Sequence, residues 1–199
     1  MATATSRHVL AAVALVAVLA LAGCGGAARQ GAGPSAPGAG PFAWLQPTAA
    51  PIDRKTRRLP SHIAELAYPP GWRAIRTDPG TFSAALFGPH ARIRGYLNVT
   101  PQSGAETLSN WSRFRPAHNS EEGDRAVVRE ASASGLRFRS GTGSCVIDRY
   151  ATTTGARYRE IACIVTGLRG TAVVVAAAEP AAWTQLAPQL RSAVASFSS

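Results

Sequence analysis

Two pairs of side chains could carry chemistry, and one hairpin would bring both together. Cys145 and Cys163 flank Thr152-Thr153-Thr154-Gly155, a turn-like segment between two strand-like runs, residues 144–151 and 156–166. If the runs pair about that turn, Cys145 falls opposite Cys163, within reach of an S–S bond. The same register sets Asp148 against Glu160 and Arg149 against Arg159, both like-charge pairs. A one-residue shift would pair Arg149 with Glu160 instead. A disulfide closing a loop of this length is worth about 3 kcal/mol, and an exposed cross-strand pair under about 1 kcal/mol. The Cys register, or a bulged version of it, is therefore expected. The alternative for Cys145 is a catalytic thiolate, which needs an unpaired sulfur and a nearby base. Asp148 and Glu160 could share one proton as an acid/base couple, but the Arg next to each in sequence favours neutralised surface charge.

Little else has catalytic spacing. His62, His90 and His118 are far apart in sequence and outside any zinc-binding pattern. There is no nucleophile elbow. Gly141-Thr142-Gly143-Ser144 lacks the following Lys of a phosphate loop and reads as a turn. No catalytic set, cofactor or metal site is expected.

Charge is the more distinctive feature. The 199 residues carry 21 Lys plus Arg against 11 Asp plus Glu, a formal charge of +10, and all the basic residues but Lys55 are Arg. Arg recurs at alternate positions in Arg92/Arg94, Arg113/Arg115, Arg137/Arg139 and Arg157/Arg159. On a strand, period two puts both guanidinium groups of a pair on one face. Leaving aside Arg113/Arg115, which falls in a helical pattern, such a face could grip phosphate or carboxylate bidentately. The candidate partners are an anionic lipid, a cell-wall polymer or an acidic envelope protein. An Arg-rich composition on a solvated face would give the same pattern. Trp72 and Trp111 are the residues expected to border a binding groove.

The amino-terminal stretch bears on the compartment. Arg7 precedes an uncharged run, residues 9–22, that is short for a membrane span and reads as an export signal. It ends in Leu21-Ala22-Gly23-Cys24, which resembles the lipobox of bacterial lipoproteins. The resemblance implies cleavage before Cys24, a diacylglyceryl group on its sulfur and acylation of the new amino terminus. Two acyl chains anchor firmly where one binds only reversibly, each buried methylene contributing about 0.8 kcal/mol. The expected location is the extracytoplasmic side of the cell membrane, where the remaining two Cys would pair. Nucleic acid is then not an expected partner, despite the basic charge.

The elements that must position these residues follow from patterning. Residues 24–60, rich in Gly, Ala and Pro, read as the lipidated Cys and a disordered tether. It ends in the basic cluster Asp53-Arg54-Lys55-Thr56-Arg57-Arg58, a solvated linker end or an attraction for anionic lipid. From residue 61 onward, strands are expected over 63–68, 74–77, 81–87, 93–100, 126–130, 135–139, the Cys hairpin and 170–178. A short amphipathic helix is expected over Leu108, Trp111 and Phe114 up to Pro116, after a capping box at Ser103 and Glu106. A second puts Trp183, Leu186, Leu190, Val194 and Phe197 on one stripe, with a kink or restart at Pro188. One antiparallel α+β domain, its sheet flanked by helices, accounts for this order.

Tyr68-Pro69-Pro70-Gly71-Trp72, Gly95-Tyr96-Leu97-Asn98-Val99, Trp111, the paired Cys, Val173-Val174-Val175 and the closing helix resemble the PsbP-like and DcrB-like α/β/α sandwich domains. Those domains include exported lipoproteins of actinobacteria, whose composition is similarly rich in Ala and Arg and poor in Lys. The resemblance spans residues 61–199 and implies a non-catalytic assembly or binding role. Only Pro70, Gly71 and Trp72 match residue by residue, and no catalytic set carries over. The other functions open to such a domain are carriage of a lipid or small hydrophobic ligand, and an envelope enzyme. Intact-mass measurement of protein isolated from its own membrane is expected to find a chain that begins at Cys24 and carries acyl mass. An unprocessed, unmodified amino end would overturn the lipobox reading.

Overall fold

The computed structural model describes residues 40–199; the export segment and Cys24 lie outside them. Runs rich in β-branched and aromatic residues form two sheets. β1 (Lys55–Arg58) and β2 (Glu65–Tyr68) make an antiparallel ribbon. β3 (Arg73–Ile75), β4 (Phe82–Phe87), β5 (Ile93–Pro101), β6 (Arg125–Arg137), β7 (Gly141–Ala151), β8 (Arg157–Gly167) and β9 (Gly170–Ala178) form a seven-stranded antiparallel sheet. Its order is β3-β4-β5-β9-β8-β7-β6. α1 (Trp111–Glu121) packs on β6, β7 and β8 from one side, and α2 (Trp183–Ala195) on β8 and β9 from the other. The α+β, α/β/α layering expected from the sequence is the layering found. Among the described residues no helix is long and apolar enough to cross a membrane.

The Cys hairpin has the expected register without a bulge. β7 and β8 pair without a shift from Gly141↔Gly167 to Ala151↔Arg157, with Cys145 opposite Cys163. The two sulfurs are bonded at 2.10 Å across a Cα separation of 4.1 Å. β9 lies between β5 and β8, and its Val/Ala run is buried on both faces. Trp183, Leu186, Leu190, Val194 and Phe197 are all buried, as their stripe requires. With Trp72, Leu97, Ile161 and Val174 they build the larger core.

Several local expectations are corrected. The tether does not extend to residue 60: Phe42, Leu45 and Leu59 are buried in the main core, and residues 55–58 form β1. Few but large apolar side chains bind this Pro-rich segment to the domain, which composition alone underrates. The two strands expected over 126–130 and 135–139 are one, β6, interrupted by three register shifts. Gly141 belongs to β7 and is not a turn residue. A Cβ there would collide with the Thr166 carbonyl oxygen, so only Gly permits this approach of the strands. The first helix begins at Trp111 and runs through Pro116 to Glu121. Pro116 cannot donate to Ser112 O, and an Arg129 Nη1–H from β6 donates to that carbonyl instead. α2 likewise continues through Pro188.

Replacing both half-cystines by Ser should lower unfolding stability by about 2–5 kcal/mol, read by denaturant titration. An unchanged midpoint would mean the hairpin holds without its cross-link.

Candidate functional site: a polar groove backed by a buried acid pair

Alternation along β7 and β8 sends Cys145, Ile147, Cys163 and Ile161 toward α2, and Val146, Asp148, Tyr150, Glu160, Ala162 and Ile164 toward α1. The register that joins the cysteines therefore sets Asp148 beside Glu160 under α1. Both are fully buried, at 0 % exposure, and are not the neutralised surface pair their neighbours suggested. The cation that answers them comes from the helix. Trp111, Arg115 and Asn119, at i, i+4 and i+8, face the sheet together. Arg115 Nε and Nη2 donate to the two Glu160 oxygens at 2.7 and 3.0 Å, a bidentate fork. Trp111 Nε1 donates to Ala162 O at 2.9 Å, and Asn119 Nδ2 to Asp148 Oδ2 at 3.4 Å. Tyr150 Oη donates to Glu160 Oε2 at 3.1 Å, and Tyr96 Oη on β5 meets Tyr150 Oη. Burial, with the Glu160 charge nearby, raises both phenols well above their ordinary value, so they remain neutral donors.

Because α1 lies over β6, β7 and β8, the same face of β4, β5 and β9 is left open beside it. This forms a groove of about 630 Å³, with Ser83, Tyr96, Asn98 and Val175 in its lining and Arg115 and His118 contributed by α1. A second recess of about 490 Å³ shares Arg115, His118 and Glu122 and extends to Trp111, Phe114 and Pro101. Asn98 Nδ2 donates to Ser83 Oγ at 2.8 Å, which fixes the polar floor. His118 stacks on Phe114 with ring centroids 5.5 Å apart and pairs with Glu122 at 3.2 Å. The floor thus offers hydroxyl and amide groups between valines, and Tyr96 links it to the buried acids.

The residues singled out by sequence do not converge here. Trp72 is buried against Leu186 on the α2 face and Trp111 lies under α1 on the other, so the sheet separates them and they border no common groove. The arginines form no continuous face. Arg92 pairs with Glu179 at 2.9 Å, and Arg94 donates to Gln185 at 3.2 Å. Arg159 pairs with Glu130 at 2.7 Å and lies 4.7 Å over the Trp183 ring, while Arg157 is exposed at the start of β8. Arg137 and Arg139 sit at the opposite end of the sheet, beside the close of β8. The Arg149/Arg159 clash is relieved by Glu130, which stands 3.8 and 2.7 Å from the two guanidinium groups. Cys145, bonded to Cys163, has no free thiol. Sequence reasoning missed Arg115, Tyr96 and Asn98. Arg115 was within reach: a forced acid pair demands a cation, and this Arg shares a helical stripe with the buried Trp111.

No family model matches the chain, and no curated protein matches it in sequence. Its backbone is similar to the solution structure of the cyanobacterial PsbP of Synechocystis, with a TM-score of 0.52 at 14% identity over 74% of this chain and 92% of that one. That likeness shows a PsbP-like fold. LpqN of Mycobacterium tuberculosis, described as involved in cell envelope biogenesis, aligns with a TM-score of 0.43 at 11% identity over 77% of this chain and 88% of that one.

The acid pair has a consequence for pH. Burial first, then the facing Glu160 carboxylate, pushes Asp148 up to about 8 against the pull of Arg115. Asp148 therefore holds its proton at neutral pH, leaving the Arg115–Glu160 pair neutral overall. In the unfolded chain an Asp titrates near 4. As pH rises from about 4 to about 8 the unfolded chain loses this proton and the folded one keeps it, so stability falls across that window and is flat above it. Asp148→Asn, which keeps the shape and cannot ionise, should raise the melting temperature at pH 8 and change it little at pH 4. A parent protein with no extra loss of stability over that window would contradict the shifted carboxyl.

Proposed function

We propose that the chain is a membrane-tethered accessory module of the cell envelope that binds a polar segment of a partner protein in the groove beside α1, without catalysis. The observation that carries this reading is the open, hydrogen-bonding floor of Ser83, Asn98 and Tyr96 on a sheet face that α1 leaves uncovered. Peptide groups lose their water partners on binding, so such a floor must return hydrogen bonds, and its hydroxyls and amide do so. The half-buried Phe114 ring, stacked on the buried Trp111 with centroids 6.1 Å apart, provides an apolar wall for the side chains of the bound segment. The ionisable pair behind the floor is out of contact with solvent and already joined to Arg115, Tyr150 and Asn119. It stabilises the sheet–helix contact and offers no acid or base to a ligand. The lipobox-like sequence before Cys24 supports anchorage on the extracytoplasmic side, and the disulfide is of the kind an oxidising compartment maintains. The PsbP-like fold is compatible with an accessory role of this kind.

Photo-crosslinking residues placed at Thr81 and His118, on the groove, and at Thr184, exposed on α2, test the assignment in the intact envelope. The groove positions are expected to give one discrete protein adduct that disappears in Asn98→Trp, and Thr184 to give none. Identical adducts at all three positions would sink it. A lipid found by native mass spectrometry on gently purified protein would favour a carrier instead.

A further inference from the structure

Beyond the groove, one end of the sheet has the composition of a membrane contact. The tight turn between β8 and β9 presents Leu168, 93 % exposed, beside Arg169. Arg169 Nη2 donates to the Ser198 oxygens, and Arg169 has no ion pair among the described residues. The β6–β7 turn adjoins it: Gly141 pairs with Gly167, and Ser140 Oγ accepts from Ser199 N. That places Arg137 and Arg139 at the same end, exposed on either side of the buried Phe138 and without an ion pair among the described residues. Of the acids at this end, Glu65 is paired with Arg58 at 3.1 Å and Glu106 accepts from Ser103 N at 2.8 Å, while Asp78 lies beyond Glu106 on the far side of the sheet. Other acids gather at the opposite end, where Glu121 and Glu122 close α1 and Glu130 and Glu179 flank Arg159 and Arg92. Those acids share their end with Arg92, Arg149 and Arg159, which they pair, whereas Arg137, Arg139 and Arg169 have no side-chain carboxylate paired with them among the described residues.

The amino-terminal side of the chain approaches the basic end. The Arg191 guanidinium of α2 lies 5.5 Å over the Trp44 ring, and Thr48 N donates to Ala195 O at the close of α2. The same helix end leads to Ser198, the residue that accepts from Arg169. Between Cys24 and Gly40 the chain can extend over no more than about 55 Å at full stretch.

We propose that Arg137, Arg139, Arg169 and Leu168 form a docking surface for an anionic phospholipid bilayer, with Leu168 entering the headgroup layer and the three guanidinium groups on lipid phosphates. The proposal rests on the anchored reading above, since an acyl group at Cys24 would keep the domain within reach of a bilayer. Arg suits the task because its planar fork takes phosphate oxygens in pairs. Each basic residue at an anionic surface strengthens binding on the order of fivefold, and salt screens the effect.

The test uses the full native chain on vesicles of phosphatidylcholine alone and of phosphatidylcholine with phosphatidylglycerol, read by flotation and by amide hydrogen exchange. Exchange over residues 137–140 and 167–170 is expected to slow severalfold only on the phosphatidylglycerol vesicles. High salt, Arg137→Ala with Arg139→Ala, or Leu168→Ser should reverse the slowing. No slowing, or equal slowing on both vesicles, overturns the surface. Slowing by soluble polyglutamate but not by vesicles would give this end to an acidic protein and overturn the membrane assignment. Failure to float with phosphatidylcholine alone overturns the acyl anchor instead, and flotation with phosphatidylglycerol then judges the surface by itself.

Discussion

The unbroken register between β7 and β8 is the constraint from which the rest of the site follows. Once Cys145 is bonded to Cys163, every other residue of the hairpin has a fixed opposite number and a fixed face. Asp148 is then bound to meet Glu160 inside the molecule, and Arg149 to meet Arg159 on the other side. Two buried carboxylates cannot both remain ionised at contact distance without large cost. One holds a proton and the other takes Arg115 from α1, so a cross-link on one face of the sheet determines the polar contact that seats a helix on the other.

Seating α1 there has a geometric consequence. A helix of 11 residues shields three strands of seven, and the remaining part of that face stays open as the groove. On the opposite face α2, the β1–β2 ribbon and the segment around Phe42 and Leu45 close over most of the sheet, leaving a smaller recess of about 330 Å³ beside Trp72 and Gln185. The sheet therefore has one face sealed by large apolar side chains and one divided between a buried polar network and an accessible polar surface. Tyr96 belongs to both parts, since it touches Tyr150 at one edge and lines the groove at the other. Tyr96 thus sets the groove and the buried acids side by side, although the acids themselves meet no solvent.

Basic charge is arranged by position more than by face. Where Arg falls near a carboxylate, as at Arg92, Arg115 and Arg159, it is absorbed into pairs that hold elements together. Where it falls on the tips of the β6–β7 and β8–β9 turns, it has no ion pair among the described residues. Counting alternate arginines along the chain cannot separate these cases, because the partner of each is distant in sequence. Glu130 lies 29 residues before Arg159, and Glu160 lies 45 residues after Arg115.

Patterning within single segments was enough to determine the hairpin and its register, the buried central run of β9, the apolar stripe of α2 and the α+β class, because each depends on periodicity or on one covalent pairing. It also identified Asp148 and Glu160 as neighbours. Their burial was decided only by the tertiary structure, which lays α1 over them. The same holds for the attachment of residues 40–59, where a few large side chains outweigh a Gly- and Pro-rich composition by packing into a core built elsewhere. Prolines 116 and 188 misled for a related reason: a helix interior tolerates Pro when packing holds the axis, and at Pro116 the freed carbonyl finds a donor from another strand. The separation of Trp72 from Trp111, and of the arginines into two ends, is likewise a matter of which side of the sheet, and which end of a strand, each residue reaches. That is fixed by strand order, and no local stretch of sequence records it.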